Sequence, residues 1–222
     1  MTYHFKFNVI QEYLPYLMEG AWFTIRIGFW SILFATIIGI ILASLQMSHN
    51  KLLKICTIIY IDVFRTIPLV VLLIWMHYVL PLLLGTTFSS EQSAILALSL
   101  NGGAMACEAF RGGLEAIPFT QQQAAYSLGF SHLGTLRYVI IPQAIFSTLP
   151  ALTNVYITNI KNISVTMIIA VPEIMFRAQE AMIQTFRPFE LYTGAAIVYI
   201  ALIVTFSYAM RFLEKLRKWE PI

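Results

Sequence analysis

The chain has 222 residues, of which 59% are hydrophobic and 11% are charged, with a formal net charge of +3 and a mean hydropathy of +0.75. Soluble domains carry about 25% charged residues, whereas several apolar runs here reach the roughly 20 residues that cross a bilayer as a helix. The composition therefore predicts an all-α membrane protein, and its small positive charge, explained by bases that flank the apolar runs, gives no support for nucleic-acid binding.

Five membrane spans are predicted, with ends uncertain by a few residues. They run over Gly20–Leu45, Ile58–Leu84, Ala94–Phe110, Ala144–Val171 and Tyr192–Phe212. The fourth span is long, and we expect Pro150 to interrupt it. The first residues lack the basic leader and cleavage site of a signal peptide, so the first span is expected to act as its own insertion signal. Residues 1–222 are expected to form one membrane domain, because the sequence shows no long linker or internal repeat.

The basic residues between the spans predict the orientation, because cytoplasmic loops carry an excess of Lys and Arg. One side of the membrane collects Lys51, Lys54, Arg111, Arg137, Arg211, Lys215, Arg217 and Lys218, and the other holds Lys6, Arg177 and Arg187. The first side is therefore expected to be cytoplasmic. An odd number of spans then places the N-terminus outside and the C-terminus inside.

Two acid–base pairs stand three residues apart, which is about one helical turn. Asp62 is expected to pair with Arg65 near the cytoplasmic end of the second span, in a structural role. Glu108 is expected to pair with Arg111 and to position the segment that follows the third span.

That segment, residues 115–142 (the polar insertion), suspends the hydrophobic pattern and predicts a polar helix–turn–helix on the cytoplasmic side. Pro118 suits a first helical position, Gly129 suits a left-handed helix end, Ser131 can cap a second helix, and Pro142 is expected to end it. One narrow face of the first helix would carry Gln121, Ala124, Ala125 and Leu128. This helix has no Lys or Arg, which favours docking to a protein over resting on lipid headgroups.

A lysine in the fourth span, Lys161, needs a partner or a wet cavity, because a bare charge in hydrocarbon is unfavourable. Its polar neighbours in the sequence are Asn154, Asn159, Asn162 and Ser164. Two interpretations stay open. Lys161 lies on a substrate path and meets a substrate carboxylate, or it has a structural role, in which it pairs with an acid such as Glu108 or Asp62 or lies close to a membrane interface.

The residue types needed for catalysis or metal binding do not cluster in the sequence. The scattered candidates are His4, His49, His77 and His132, with Cys56 and Cys107 in or beside apolar segments. No Gly-x-x-x-x-Gly-Lys-Ser/Thr phosphate loop is present, so the chain is not expected to bind ATP in that way. We therefore expect no catalytic residue, metal site or cofactor in this chain.

Several motifs, in order and spacing, resemble the polar amino acid permeases of ABC importers, from about Gly20 to the C-terminus. They are Phe64–Leu69, Glu108–Pro118, Leu128–Gly129, Ile141–Ala144, Lys161–Ser164, Val171–Glu173 and Thr185–Glu190. The polar insertion itself resembles the Glu-Ala-Ala loop of that family. Two residues depart from its pattern: Gln123 stands where the loop has its glutamate, and Asn162 where the family commonly has aspartate.

The resemblance implies the type I ABC importer permease fold, with the polar insertion as the coupling loop that sits in a groove of an ATPase subunit. It implies ATPase contacts by Pro118, Gln121, Gln123, Ala124, Ala125, Leu128 and Gly129. The path residues, if Lys161 lies on a substrate path, are expected to be Asn154, Lys161, Asn162 and Ser164.

The resemblance also implies a bacterial inner-membrane assembly that imports a polar amino acid. Its partners would be ATPase subunits that bind ATP and Mg, a second permease subunit (a copy or a homologue), an extracytoplasmic solute-binding protein and membrane lipid. An integral membrane enzyme is the alternative that the scattered polar residues disfavour. A stand-alone carrier is disfavoured because the chain shows no pair of related halves.

Overall fold

The computed structural model describes residues 4–48 and 50–215, which are almost wholly helical. The helices are α1 (Phe7–Gln46), α2 (Lys51–Thr66), α3 (Leu69–Ile74), α4 (Leu80–Leu84), α5 (Ser90–Glu115), α6 (Phe119–Ser127), α7 (His132–Thr135), α8 (Ile141–Asn162), α9 (Ile174–Thr185) and α10 (Pro188–Lys215). π-helical turns at Trp75–Val79 and Leu136–Ile140 join α3 to α4 and α7 to α8, and a 3-10 segment, Ile163–Ile169, follows α8. The predicted all-α fold is confirmed; His49, Arg217 and Lys218 lie outside the described residues.

Within the described part of the chain, four helical runs are long and apolar enough to cross a membrane. They are Phe7–Gln46, Ser90–Glu115, His132–Ile169 and Pro188–Lys215. A bent pair, Lys51–Thr66 with Leu69–Leu84, becomes the fifth when it is counted as one span. About five spans is the number that the hydrophobic pattern predicts.

The first helix is much longer than its predicted span. α1 has 40 residues, a length of about 60 Å against a hydrocarbon core of about 30 Å. Its first turns therefore extend beyond the membrane, and the predicted start at Gly20 is too late. Packing explains this extension, because Leu17 and Ala21 are buried in one cluster with Ile174 of α9 and Ala195 of α10.

The second span is not straight, as the prediction over Ile58–Leu84 assumed. Its two halves meet at 104°. The break falls at Ile67, which is extended (φ −63°, ψ 126°) and precedes Pro68, as the ring of a following proline favours. The Asn101 side chain of α5 donates a hydrogen bond of 2.7 Å to the Phe64 carbonyl in the last turn of α2. A backbone group left open beside the break is thus satisfied inside the bundle.

The fourth span runs through both of its prolines, so the predicted helix end at Pro142 and the predicted interruption at Pro150 are both wrong. Before Pro142 the chain makes a π-helical turn, in which the Ile141 amide donates to the Leu136 carbonyl, five residues back. This wider turn accommodates a residue that lacks an amide hydrogen. Pro150 lies inside α8 on its exposed face, where one missing backbone hydrogen bond does not end the helix.

Small residues hold α1, α5 and α8 close together, which is the usual device in membrane bundles. A Cβ on Gly39 would lie 2.7 Å from the Ala106 Cβ, and one on Gly102 would lie 2.7 Å from the Asn159 amide nitrogen. The buried Asn159 side chain accepts a 2.8 Å hydrogen bond from Ser31 and donates one of 3.2 Å to the Leu98 carbonyl. α8 is thereby fixed to α1 and α5 by one of its faces.

Candidate functional site

The polar insertion folds into the predicted helix, turn and second helix. Pro118 is extended (φ −60°, ψ 135°) and precedes α6, so the helix begins one residue later than predicted. Gly129 has φ +85°, and the Phe130 amide donates to the Ala125 carbonyl at 3.1 Å, which closes the end of the helix. No atom lies within 4 Å of a Cβ built on Gly129. Glycine is therefore required there by backbone conformation and not by space.

Side-chain hydrogen bonds tie this hairpin together and connect it to the fourth span. The Tyr126 hydroxyl lies 2.8 Å from His132 Nδ1 and accepts a 3.0 Å bond from Gln122 Nε2. Gln143 Nε2, in the first turn of α8, donates to Gln121 Oε1 at 2.5 Å. A force on α6 would therefore reach α8 through a direct contact.

The face of α6 that points outward differs from the face expected from spacing. Gln121 bonds to Gln143 and Ala125 is buried against the chain itself, whereas Gln123, Ala124 and Leu128 are exposed. Two large apolar side chains, Phe119 (66%) and Leu133 (75%), are also exposed. Sequence reasoning missed Phe119 and gave Leu133 only as part of an apolar stripe on the second helix. Both lie in a stretch of the sequence without Asp, Glu, Lys or Arg, and this was the signal that could have marked them as parts of a contact surface.

Ion pairs hold the end of α5 to α2, directly before the polar insertion. Glu108 lies 3.1 Å from Arg111 and 3.5 Å from Arg65, and Arg111 also contacts Glu115 at 2.9 Å. The pair between Glu108 and Arg111 forms as expected. The expected pair between Asp62 and Arg65 does not, because Arg65 reaches across to Glu108 on α5, and Asp62 makes no ion pair with a described residue.

The face of α8 that points away from α1 and α5 carries a row of polar side chains beside Pro150 and Ala151. Ser147, Asn154, Thr158 and Lys161 lie on it at helical spacing, and all are at least partly exposed. Lys161 forms no ion pair with a described residue, so the structure does not support its pairing with Glu108 or Asp62. Asn162 and Ser164 are half-buried beyond it, and the Ser164 hydroxyl donates to the Lys161 carbonyl at 2.8 Å.

The opposite end of the molecule carries its own polar network. Arg187 lies 3.4 Å from the buried Glu190 at the start of α10, and Glu190 also accepts from the Lys6 amide at 3.1 Å. The Tyr16 hydroxyl donates to Glu180 at 2.7 Å, joining α1 to α9. Arg177 pairs with Glu19 of α1 at 3.5 Å. Lys6, Arg177 and Arg187, which charge counting assigns to one side, thus all take part in polar contacts at this end. Lys54 and Arg111, assigned to the other side, line one cleft with Gln46 and Glu108.

A buried carboxyl group that sequence reasoning did not single out lies between the last two spans. Glu173 has no exposed surface and accepts hydrogen bonds from the Phe176 and Met175 amides (2.8 and 2.9 Å) and from the Tyr199 hydroxyl of α10. Burial raises the pKa of Glu173 to about 7, although these donors oppose the rise.

Among residues 4–48 and 50–215, no three His, Cys, Asp or Glu side chains come close enough to hold a metal ion.

Comparisons with known proteins point to one family. Residues 35–219 match the family described as "Binding-protein-dependent transport system inner membrane component". A Bacillus subtilis protein named "Probable amino-acid ABC transporter permease protein YckA" is 32% identical over 96% of this chain and 94% of its own length. The Escherichia coli glutamine transport system permease protein GlnP is 28% identical over 96% and 98%.

Solved structures agree with the sequence comparisons. A chain from a crystal structure of an amino acid ABC transporter with histidines superposes with a TM-score of 0.90 at 30% identity, over 97% of this chain and all of that one. A chain of the MetNI methionine ABC transporter in an inward-facing conformation gives a TM-score of 0.78 at 20% identity, over 92% and 97%. At 20% identity, the comparison with the methionine transporter chain shows a shared fold and nothing more.

Proposed function

Because the chain belongs to the family of binding-protein-dependent transport inner-membrane components, we propose that it is a permease subunit of an ABC importer for polar amino acids. It does not hydrolyse ATP in this proposal. ATP and Mg are bound by a separate ATPase subunit, which the polar insertion contacts on the cytoplasmic side. The names of the relatives, amino-acid and glutamine permeases among them, support the substrate class.

The observation that carries the proposal is the connection between the polar insertion and the polar face of α8. α6 stands outside the spans, its turn is fixed by Gly129, and Gln121 bonds it to Gln143 at the start of α8. When two ATPase subunits close on ATP, a displacement of α6 would be transmitted along α8 to the exposed Lys161. ATP can drive transport in this way only if closure of the ATPase subunits favours one arrangement of the spans over the other.

The unpartnered polar face of α8 supports a second permease subunit, either a copy of this chain or a homologue. Five spans are few to enclose a polar pathway. Two such subunits would bring two polar faces together and line a path with Asn154, Lys161, Asn162 and Ser164. The Lys161 ammonium would offer hydrogen-bond donors and positive charge to a substrate carboxylate. An external solute-binding protein would deliver the substrate at the side of α9.

Capture of the ATPase tests the proposal. The permease, purified in lipid nanodiscs, is expected to retain an ABC ATPase subunit of its own organism's amino acid importers. Replacing Gly129 by Val places a β-branched residue at φ +85°, which disfavours the turn by about 1–2 kcal/mol, so capture should fall several-fold or more. Gly129→Asn is the matched control, because asparagine tolerates this conformation and the site has room for a side chain. Failure of the unmodified chain to retain any ATPase would refute the proposal.

A further inference from the structure

Most of the polar insertion carries no charge, because its charged residues, Glu115 and Arg137, lie close to its two ends. From Ala116 to Leu136 the sequence has no Asp, Glu, Lys or Arg, although soluble protein carries about 25% of these residues. Large apolar side chains are exposed in the same stretch, with Leu128 at 78%, Leu133 at 75% and Phe119 at 66% exposed. Phe119 and Leu128 lie outside the spans, and apolar surface exposed there calls for a partner that covers it.

The chemistry of the segment favours a protein over a lipid surface. A helix that lies on headgroups usually carries Lys or Arg on its polar face, and α6 has neither. The cores of protein interfaces, in contrast, are depleted in charged residues and enriched in aromatic ones. Hydrogen bonds within the hairpin, from Gln122 to Tyr126 and between Tyr126 and His132, hold its shape before any partner arrives, which reduces the entropy lost on docking.

Gln123 lies exposed on α6, and its side-chain amide bonds to no described residue. A neutral amide requires no countercharge in its partner. A carboxylate in the same place would be desolvated on docking, and it would need a cation opposite to it.

Resting on the proposed function, we propose that the ATPase groove that receives the polar insertion is neutral and apolar, with no cation opposite Gln123. The coupling contact then forms by apolar burial and neutral hydrogen bonds. Its strength is independent of salt, and an ATPase with a basic residue at that point pairs poorly with this chain, because the buried cation would be left without a partner.

A salt series on the unmodified complex tests the inference directly. Affinity of the nanodisc-embedded permease for its ATPase is measured from about 0.1 to 1 M NaCl, over which the screening length falls from about 10 to about 3 Å. We expect the dissociation constant to change by less than about twofold. A loss of about tenfold or more would overturn the inference and leave the proposed function standing. Absence of binding at every salt concentration would overturn both.

Substitution of Gln123 gives an independent test. Gln123→Glu is expected to weaken binding about tenfold or more, because the new charge enters a groove without a cation. The matched control is Gln184→Glu, the same change at an exposed position of α9 on the other side of the membrane, which should leave the affinity unchanged. Equal or tighter binding by Gln123→Glu would show a cation in the groove and overturn the inference.

Discussion

Lys161 is the only charged residue between Arg137 and Glu173, and it lies exposed in the last turn of α8. A position at a helix C-terminus favours its charge. No described acid compensates it. A lysine in a span must then be hydrated or meet a ligand, so the structure gives no support to an ion pair, and a place on the substrate path stays a prediction.

Replacing Lys161 tests this interpretation. Lys161→Met keeps the length of the side chain and removes the charge, so uptake of substrate should fall about tenfold or more, equivalent to about 1.4 kcal/mol, while assembly with the ATPase is retained. Uptake is measured in proteoliposomes with the binding protein supplied. Lys161→Arg, which keeps the charge, should preserve most of the activity. Normal uptake by the Met variant would remove Lys161 from the path.

Ion pairs between two helices were harder to predict from the sequence than features that depend on a single helix. Helical spacing suggested Arg65 as the partner of Asp62, three residues away, but spacing reports neighbours on one helix and says nothing of the helix beside it. Arg65 bonds instead to Glu108 of α5. The Gly129 turn was predictable because its requirement is local, a positive φ that few residues tolerate.

At the scale of the helix, three prolines with similar sequence signals gave three different outcomes. Pro68 breaks the second span, Pro142 follows a π-helical turn, and Pro150 sits in a continuous helix. The local rule, a lost amide and a restricted preceding residue, is the same in all three. The outcome depends on the surroundings of each proline, such as the hydrogen bond that Asn101 of α5 donates beside the Pro68 break, and the sequence does not show such contacts.

α9 depends on Glu173 for its attachment, and this predicts a pH dependence. Burial raises the pKa of Glu173 from 4.5 to about 7. The contribution of the Glu173 carboxyl group to the free energy of unfolding is fully present below about pH 4.5 and is lost as pH rises towards 7. The reason is that the Glu173 carboxyl of the unfolded chain releases its proton at a lower pH than that of the folded chain. The loss is at most about 3 kcal/mol. The melting temperature of the wild type should therefore be lower at pH 8 than at pH 5.5.

Two variants isolate this carboxyl group. Glu173→Gln resembles the protonated acid and should remove the pH-dependent part of the melting temperature. Glu12→Gln, the same change on the exposed surface of α1, should keep the wild-type slope. An undiminished slope in Glu173→Gln would assign the pH dependence to other groups.

At the scale of the whole molecule, the structure separates two polar ends across the bundle. One end gathers Lys54, Glu108 and Arg111 beside the polar insertion. At the other, Tyr16 and Glu190 hold the long start of α1 to α9 and α10. Counting bases in loops could place these residues in two groups because the rule depends on composition alone. It could not show that the second end is held by contacts from Tyr16 to α9 and from Lys6 to α10, since these contacts join residues more than 160 positions apart.

The proposed orientation follows from this separation, with the polar insertion inside the cell and α9 outside. In a background of Cys56→Ser and Cys107→Ala, Gln184→Cys on α9 and Lys51→Cys at the start of α2 place single thiols at exposed positions of the two ends. A membrane-impermeant maleimide should label position 184 in cells whose outer membrane alone is permeabilised, and position 51 only after the cells are lysed. Labelling of both thiols in lysed membranes is the control for reactivity. The reverse pattern in unlysed cells would invert the topology and place the polar insertion where no ATP-binding subunit can reach it.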